Sequence, residues 1–565
     1  MHKMRLRQFL SLLKYKGMTS RIVFFITWIF SVSLQSQQTV GLISYDKDKA
    51  FDGYNLIFPH NQPDVYLFNN CGEVVHVWRD SSVWRPGNTA YITEQGKLIK
   101  TKRSKNVVGN PIWFGGGGAM VEIRDWDNNL EWSFEMNDSL QRLHHDIAPM
   151  PNGNILMIVW HRKNLQELIA AGRDTSLYDD KVLHSESVIE VNPSTGNIVW
   201  QWNLWDHLVQ EYDSTKANYG IIADNPGKVN INYNHVRDGS WFHMNAIDYN
   251  AELDQIIVSV PTHNEIWIID HSTTTAQAAT DKGGLSGRGG ELMYRWGNPA
   301  VYNKSGVIPQ RAFYQHGVHW IQRFIPPSNP NFGKICFFNN RAGADFSEVT
   351  LLTAPWDMYE WKYTKTQGAW GPAVADQTIR HPETKKLFSD ILSNAQYLPN
   401  GNFLVLSGRT GYIFEVTPDQ KVVWEYRVPL KNGNRVSQGS ALLVNDNTNF
   451  RINRYPTGYS GFANKDLSPK GYLELNPDVQ NCTRLTQTSE EESDLTKIYP
   501  SPANQQMTIL WHKAEKAMIV ASSGSVVKTI NLSPGENSVF IGDMMNGLYY
   551  VLNEEGVVKV FSIAR

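Results

Sequence analysis

Three histidines hold the same place in three successive repeats of this chain. They are His145 in His145-Asp-Ile-Ala, His243 in His243-Met-Asn-Ala and His316 in His316-Gly-Val-His. Each is expected to open the first strand of its repeat. A neutral imidazole carries a nucleophilic lone pair near pH 7, and its protonated form is an acid of matching strength. Three of them at one point can attack, move protons and bind an anion. Alternation along a strand turns His144 away from His145 and leaves His319 as the rival of His316 for nucleophile. The ends of the second strands add His60, His161 with Arg162, His263, Arg341 and Arg409. Apart from Asp146, that set holds few carboxylates. Imidazoles and guanidinium groups without paired acids suit an anionic tetrahedral group, because planar arginine donors match sulfate or phosphate oxygens.

These residues need elements that bring them together. A strand ending in paired aromatics recurs, closing at Trp78, Phe134, Trp202, Trp296, Tyr363 and Tyr426. The copies lie about 55 to 95 residues apart, a spacing that fits four-stranded blades with loops. Within the third copy the period is two, as strands require. His145–Pro151, Ile155–His161, Glu186–Asn192 and Asn197–Asn203 are its expected strands, with a hairpin at Pro151-Asn-Gly-Asn154. Asn-Gly supplies the positive φ of a tight turn and returns at Asn400-Gly-Asn402. The expected fold is all-β, a six-bladed β-propeller with a small C-terminal β-sandwich domain. Ring closure brings the three histidines to one end of the axis. The first blade lacks a clear inner strand, and Ser440–Asn445 is the segment expected to supply it.

Composition agrees. The chain has 565 residues, 12% of them aromatic, with 42 Gly and 19 Trp, which suits an all-β repeat protein. Net charge is −2 and no long basic stripe is present, so no nucleic-acid partner is expected. Basic residues run to Arg21 and an apolar stretch follows over residues 22–34. That stretch is short for a bilayer span, so residues 1–36 read as a cleavable signal peptide and no stable membrane span is expected after processing. The three cysteines, Cys71, Cys336 and Cys482, form no disulfide framework and have no metal spacing. A Cys71–Cys482 bridge is open in an oxidising compartment. The propeller is expected over 37–477, a polar, acidic linker over 478–497 and a separate β pattern over 498–565.

Two resemblances follow. The C-terminal segment, with Pro500-Ser-Pro-Ala-Asn504, Gly547-Leu-Tyr-Tyr-Val551 and a short last strand, resembles the C-terminal sorting domain of the type IX secretion system. That implies an exported protein, secreted or held at the cell surface, with the secretion machinery as partner. The repeats are similar to the bacterial arylsulfate sulfotransferases that need no nucleotide sulfate donor. The residues that carry this are 143–154, 243–249, 294–299, 315–321, 408–416 and 450–456. The resemblance implies a six-bladed propeller and a double displacement: a histidine takes the sulfuryl group from a phenolic sulfate ester, then passes it to a phenol. Carried onto this chain, His316 is the nucleophile, and His145 and His243 bind sulfuryl oxygens and move protons. Arg409, Arg341, His319, His263 and His161 complete the expected substrate contacts. The family's arginine after the second histidine is missing, since Ser259-Val-Pro-Thr-His263 stands there; Arg409 and Arg341 are its expected replacements. No cofactor and no metal are expected. The absence of a Gly-x-x-x-x-Gly-Lys-Ser/Thr loop weakens any nucleotide-dependent reading. A non-catalytic surface propeller that binds sulfated or aromatic ligands, and a zinc hydrolase, are the other readings.

Overall fold

The computed structural model describes residues 39–563 except 82–83, 104–111, 113–114, 177–180, 235–238, 481, 484–496, 501–502, 512–513, 522–524 and 554–555. The expected signal peptide and most of the expected linker lie outside the described residues. Among the described residues, no helix is long and apolar enough to cross a membrane.

Six antiparallel sheets make up the larger part. Their innermost strands are Asn449–Pro456, Arg85–Ile92, Gln141–Pro149, Ala246–Asn250, His316–Trp320 and Asn394–Tyr397. Each touches the next, and the last touches the first, so the strands form a closed cycle around one axis. Each sheet keeps its edges, but radial repetition leaves them short and protected. Two strand exchanges lock the ring. Asn449–Pro456 pairs with Gly53–Pro59 as the inner strand of the first sheet, and Gly41–Tyr45 adds a fifth strand to the sixth sheet beside Val422–Arg427. The closing strand is therefore not Ser440–Asn445, which forms turns just before it. Val-Asn-Asp-Asn at 444–447 reads polar and turn-forming, whereas Phe450, Ile452 and Tyr455 bury as a strand must.

The recurring aromatics explain how the blades hold. Trp78, Trp202, Trp296 and Trp424 are all buried. Each indole N–H reaches a carbonyl beside the following blade: Trp78 to Asp125 at 3.2 Å, Trp202 to Gly290 at 2.7 Å, Trp296 to Pro372 at 2.8 Å and Trp424 to Asn70 at 2.8 Å. A buried tryptophan needs such a partner, so one residue fills the space between sheets and ties them together. The fifth copy departs from expectation. Lys362–Tyr363 pairs only with Trp356–Asp357, and the outer strand of that sheet is Gln377–Ile379. The Ala354-Pro355 step turns the chain out of the sheet first, because proline cannot donate to a ladder.

Residues 497–563 form two further sheets sharing a core that includes Met507, Ile509, Trp511, Ile519, Val551 and Phe561. The expected strand Val526–Leu532 is present, as is Gly547–Asn553 around the Gly547-Leu-Tyr-Tyr-Val551 motif. Cys71 and Cys482 form a disulfide, and Cys336 is free and buried.

Candidate active site

The inner strands reach the top of the axis through left-handed backbone. His145 has φ 48°, His243 φ 58°, Tyr314 φ 56°, Leu392 φ 60° and Ser393 φ 85°. Such values cost a non-glycine residue roughly 1–2 kcal/mol, and strain of this kind collects at functional sites. Of the three histidines only His316 opens its strand: His145 sits within Gln141–Pro149, and His243 lies three residues before Ala246–Asn250. The register slips at His145: Met157 faces Ile147 while Ile158 faces His144. This β-bulge defeats simple alternation. His144 does not turn away from His145; their Nδ1 atoms lie 2.8 Å apart.

The three histidines form one cluster, His145 and His316 buried and His243 partly so. The rings of His145 and His243 stand 4.5 Å apart. Phe450 from the closing strand lies between His145 and His316, with ring centroids 6.0 and 6.3 Å away. Burial dominates their acid–base behaviour. It holds His316 down to about 3 and His243 to about 4, and holds His145 well below its ordinary value. All three are neutral at pH 7.

Hydrogen bonds fix the tautomer of His316. Asn340 donates through Nδ2 to the carbonyls of Ser389 (2.7 Å) and Leu392 (2.9 Å). Its Oδ1 therefore accepts from His316 Nδ1 at 2.8 Å, and the Tyr314 carbonyl lies 3.2 Å from the same nitrogen. The proton is on Nδ1, so Nε2 keeps its lone pair. That lone pair receives one long bond, 3.2 Å, from the Leu392 amide. On the other side, His243 Nδ1 meets Ser240 Oγ at 2.8 Å.

Three contributors were invisible in the sequence reading. Glu186 is buried beneath the histidines, where it accepts from the Met244 amide at 3.0 Å and from Trp160 Nε1 at 3.2 Å. His144, stacked on Trp160 at 4.0 Å, brings Nε2 to 3.8 Å from Glu186. Burial raises the Glu186 carboxyl to about 8. Glu186, His144 and His145 thus stand in a row, in which a hydrogen bond joins the two imidazoles and a 3.8 Å gap separates His144 from Glu186. Gly116 is the second. It has φ 81°, and a Cβ there would lie 1.9 Å from His145 Nε2. The run Gly115-Gly-Gly-Gly118 was the available signal, since only glycine allows so close an approach. Asn340 is the third; its polar side chain carried no pattern of its own.

The other expected residues divide. Arg341 lies over the Tyr314 ring at 3.9 Å, beside His316, and among the described residues has no carboxylate partner. Arg409 is paired with the Asp390 carboxylate and with Asn445. His161 is held by Ser187 Oγ at 2.7 Å. His263 is wholly buried against Phe242, with ring centroids 4.3 Å apart, in the core between blades. His319 does not compete with His316, because it faces the cavity at the opposite end of the axis. Asp146 is no surface carboxylate either. It binds Arg451, Tyr91 Oη at 3.0 Å and the Ile247 amide at 3.3 Å, closing the axis below the histidines. Among the described residues no group of three or more His, Cys, Asp or Glu is arranged to hold a metal ion.

Comparison with known proteins decides the family. A family model described as Arylsulfotransferase (ASST) matches residues 55–353, more than half of the chain. The chain belongs to the arylsulfotransferase family. Arylsulfotransferase activity in general, on small aryl substrates, follows from that membership. A second model, the secretion system C-terminal sorting domain, matches residues 497–561 and supports a secreted or cell-surface location. No curated protein matches this arylsulfotransferase-family chain. Among solved structures, a Bacteroides caccae protein of unknown function is similar at 10% identity and TM-score 0.35, covering 66% of this chain and 93% of that one. A streptogramin B lyase is similar at 9% identity and TM-score 0.32, covering 75% and 96%. The Dos1 propeller is similar at 10% identity and TM-score 0.30, covering 88% and 92%. At these scores the likenesses carry no argument about the site.

Proposed function

We propose that this enzyme moves a sulfuryl group from a phenolic sulfate ester to a phenol through a sulfohistidine on His316 Nε2. The observation that carries the reading is the clamp of His316 Nδ1 by Asn340, which leaves the lone pair on Nε2, where only the long bond from the Leu392 amide must give way. In the first displacement Nε2 attacks sulfur, and the S–O bond breaks with its electron pair going to the aryl oxygen. His145 Nε2 protonates that oxygen. As it does so, His145 takes a proton at Nδ1 from His144 Nδ1, and His144 Nε2 takes one from the neutral acid of Glu186 once their 3.8 Å separation closes, which leaves Glu186 a carboxylate. The Asn340 carbonyl stabilises the positive charge growing on the His316 ring. In the second displacement a phenol returns its proton along the same path and attacks sulfur, and the N–S bond breaks. His243 and the Leu392 amide are placed to donate to sulfuryl oxygens, with Arg341 supplying the cation that the missing family arginine leaves unfilled. The C-terminal unit is read as the address that the type IX machinery recognises.

The test is an intact-mass spectrum after brief mixing with 4-nitrophenyl sulfate and no acceptor. A gain of about 80 Da, lost on adding phenol and absent in His316→Ala, is the expected result. No adduct together with no release of nitrophenol removes the reading.

A further inference from the structure

The lower half of the axis holds a cavity of about 1210 Å³. It is lined by the far ends of the same inner strands and their turns, and none of His145, His243 and His316 lines it. The Tyr91–Asp146–Arg451 group stands between the two. The polar groups of the lining decide what the cavity could hold.

Arg323 projects into this space. It is exposed to solvent within the lining. Its guanidinium rests on an aromatic tray, 4.7 Å from the Tyr455 ring centroid and 5.0 Å from that of Phe324. Tyr455 Oη at 2.9 Å and the Ile92 carbonyl at 3.4 Å accept from Nη2. Among the described residues no carboxylate pairs with it. By contrast, the other cations of the lining are answered: Arg451 by Asp146 and Lys97 by Glu131 at 2.7 Å. Arg323 is an unneutralised, preorganised anion site.

The floor has the opposite character. His319 gives its Nδ1 proton to the Gly317 carbonyl at 2.9 Å, so Nε2 faces the cavity as an acceptor. Burial, Arg451 and Arg323 keep that ring neutral. Asp248 accepts from the Trp320 amide at 2.9 Å and offers its remaining lone pairs beside it. Between floor and wall lie Trp132, Trp320, Tyr249 and Phe332.

We propose that this cavity binds a hydroxylated aromatic anion, its acidic group on Arg323 and its hydroxyl donating to His319 Nε2. The site is separate from the histidine layer and does not rest on the transfer reaction.

The probe is 6-hydroxy-2-naphthalenesulfonate, whose C–S bond cannot donate a sulfuryl group. Calorimetry on the full chain is expected to give one site, weakened at least tenfold in Arg323→Gln and unchanged in His316→Ala. In the unsubstituted protein the probe is expected to protect Arg323 from phenylglyoxal, read by peptide mass. This arm decides the matter even if the variant fails to fold. No binding at millimolar probe, or binding that leaves Arg323 unprotected, overturns the proposal. Loss of binding in His316→Ala places the probe at the histidine layer and also overturns it. The sulfuryl adduct is a separate readout, so either reading can fail without the other.

Discussion

The two ends of the axis are made from the same strands and behave in opposite ways. The upper end is tight and strained: left-handed residues bring neutral imidazoles into contact, and a missing side chain at Gly116 makes the room. The lower end is wide and regular, and it keeps a charged guanidinium open to solvent. Chemistry that needs a nucleophile of defined tautomer gains from rigid, dry surroundings. Recognition of a whole aromatic ligand needs volume and one or two directed charges. The Asp146–Arg451 pair lets one channel serve both ends, because it neutralises two buried charges where the two environments meet.

The sharpest way to break this comparison is His316→Ala. Turnover of 4-nitrophenyl sulfate is expected to fall by about a thousandfold or more, since the covalent path is gone. Probe binding in the lower cavity should not change; a loss at both ends would mean one site, not two. Gly116→Ala comes next. Its Cβ must push His145 away and adopt φ 81°. A loss of about a hundredfold in kcat/KM is expected, with lower-cavity binding intact. A near-normal rate would show that His145 moves no proton in the slow step.

Glu186→Gln tests the relay by its pH profile. The folded carboxyl, raised to about 8, is protonated below that value and loses its proton above it. Donor turnover should therefore fall as pH rises through about 8, and the glutamine variant should lose that limb with a decrease of about tenfold. An unchanged profile would remove Glu186 from the path. The smallest effect lies away from both ends. His271 is held between Asp254 at 2.6 Å and Glu190 at 3.0 Å, which raise its pKa to about 9. The folded value stands above the unfolded one near 6.5, so this contribution is complete below about pH 6.5 and is lost as pH rises through about 9. The Tm of His271→Asn should depend less on pH across that window, with the activity profile unmoved. A matching shift in activity would tie the outer sheet to the upper end.

Much of the ring was legible. Tight turns left their mark at Gly153 and Gly401, which take φ 87° and 91°. The tryptophan-ended strands marked the blades because each indole must fill the same gap. Legibility failed where local pattern was weak. Tyr363 carried the aromatic motif without the ladder, and the closing strand lay a few residues beyond the segment chosen for it. At the site, the meeting of His145, His243 and His316 was legible from their places in successive repeats, although only His316 opens its strand. His144 was misplaced because a bulge obeys no period, and His319 because three residues along an inner strand carry a side chain to the other end of the axis.

Composition, repeat period and histidine register determined an all-β ring with imidazoles at one end, since those features are local or periodic along the chain. Only the tertiary structure decided which nitrogen keeps its lone pair, which carboxyl holds a proton and which arginine of the lower cavity lacks a carboxylate among the described residues. Those properties depend on burial and on groups far apart in sequence, such as Asn340 with His316, Glu186 with His144, and Phe450 between two blades. No spacing along the chain encodes them.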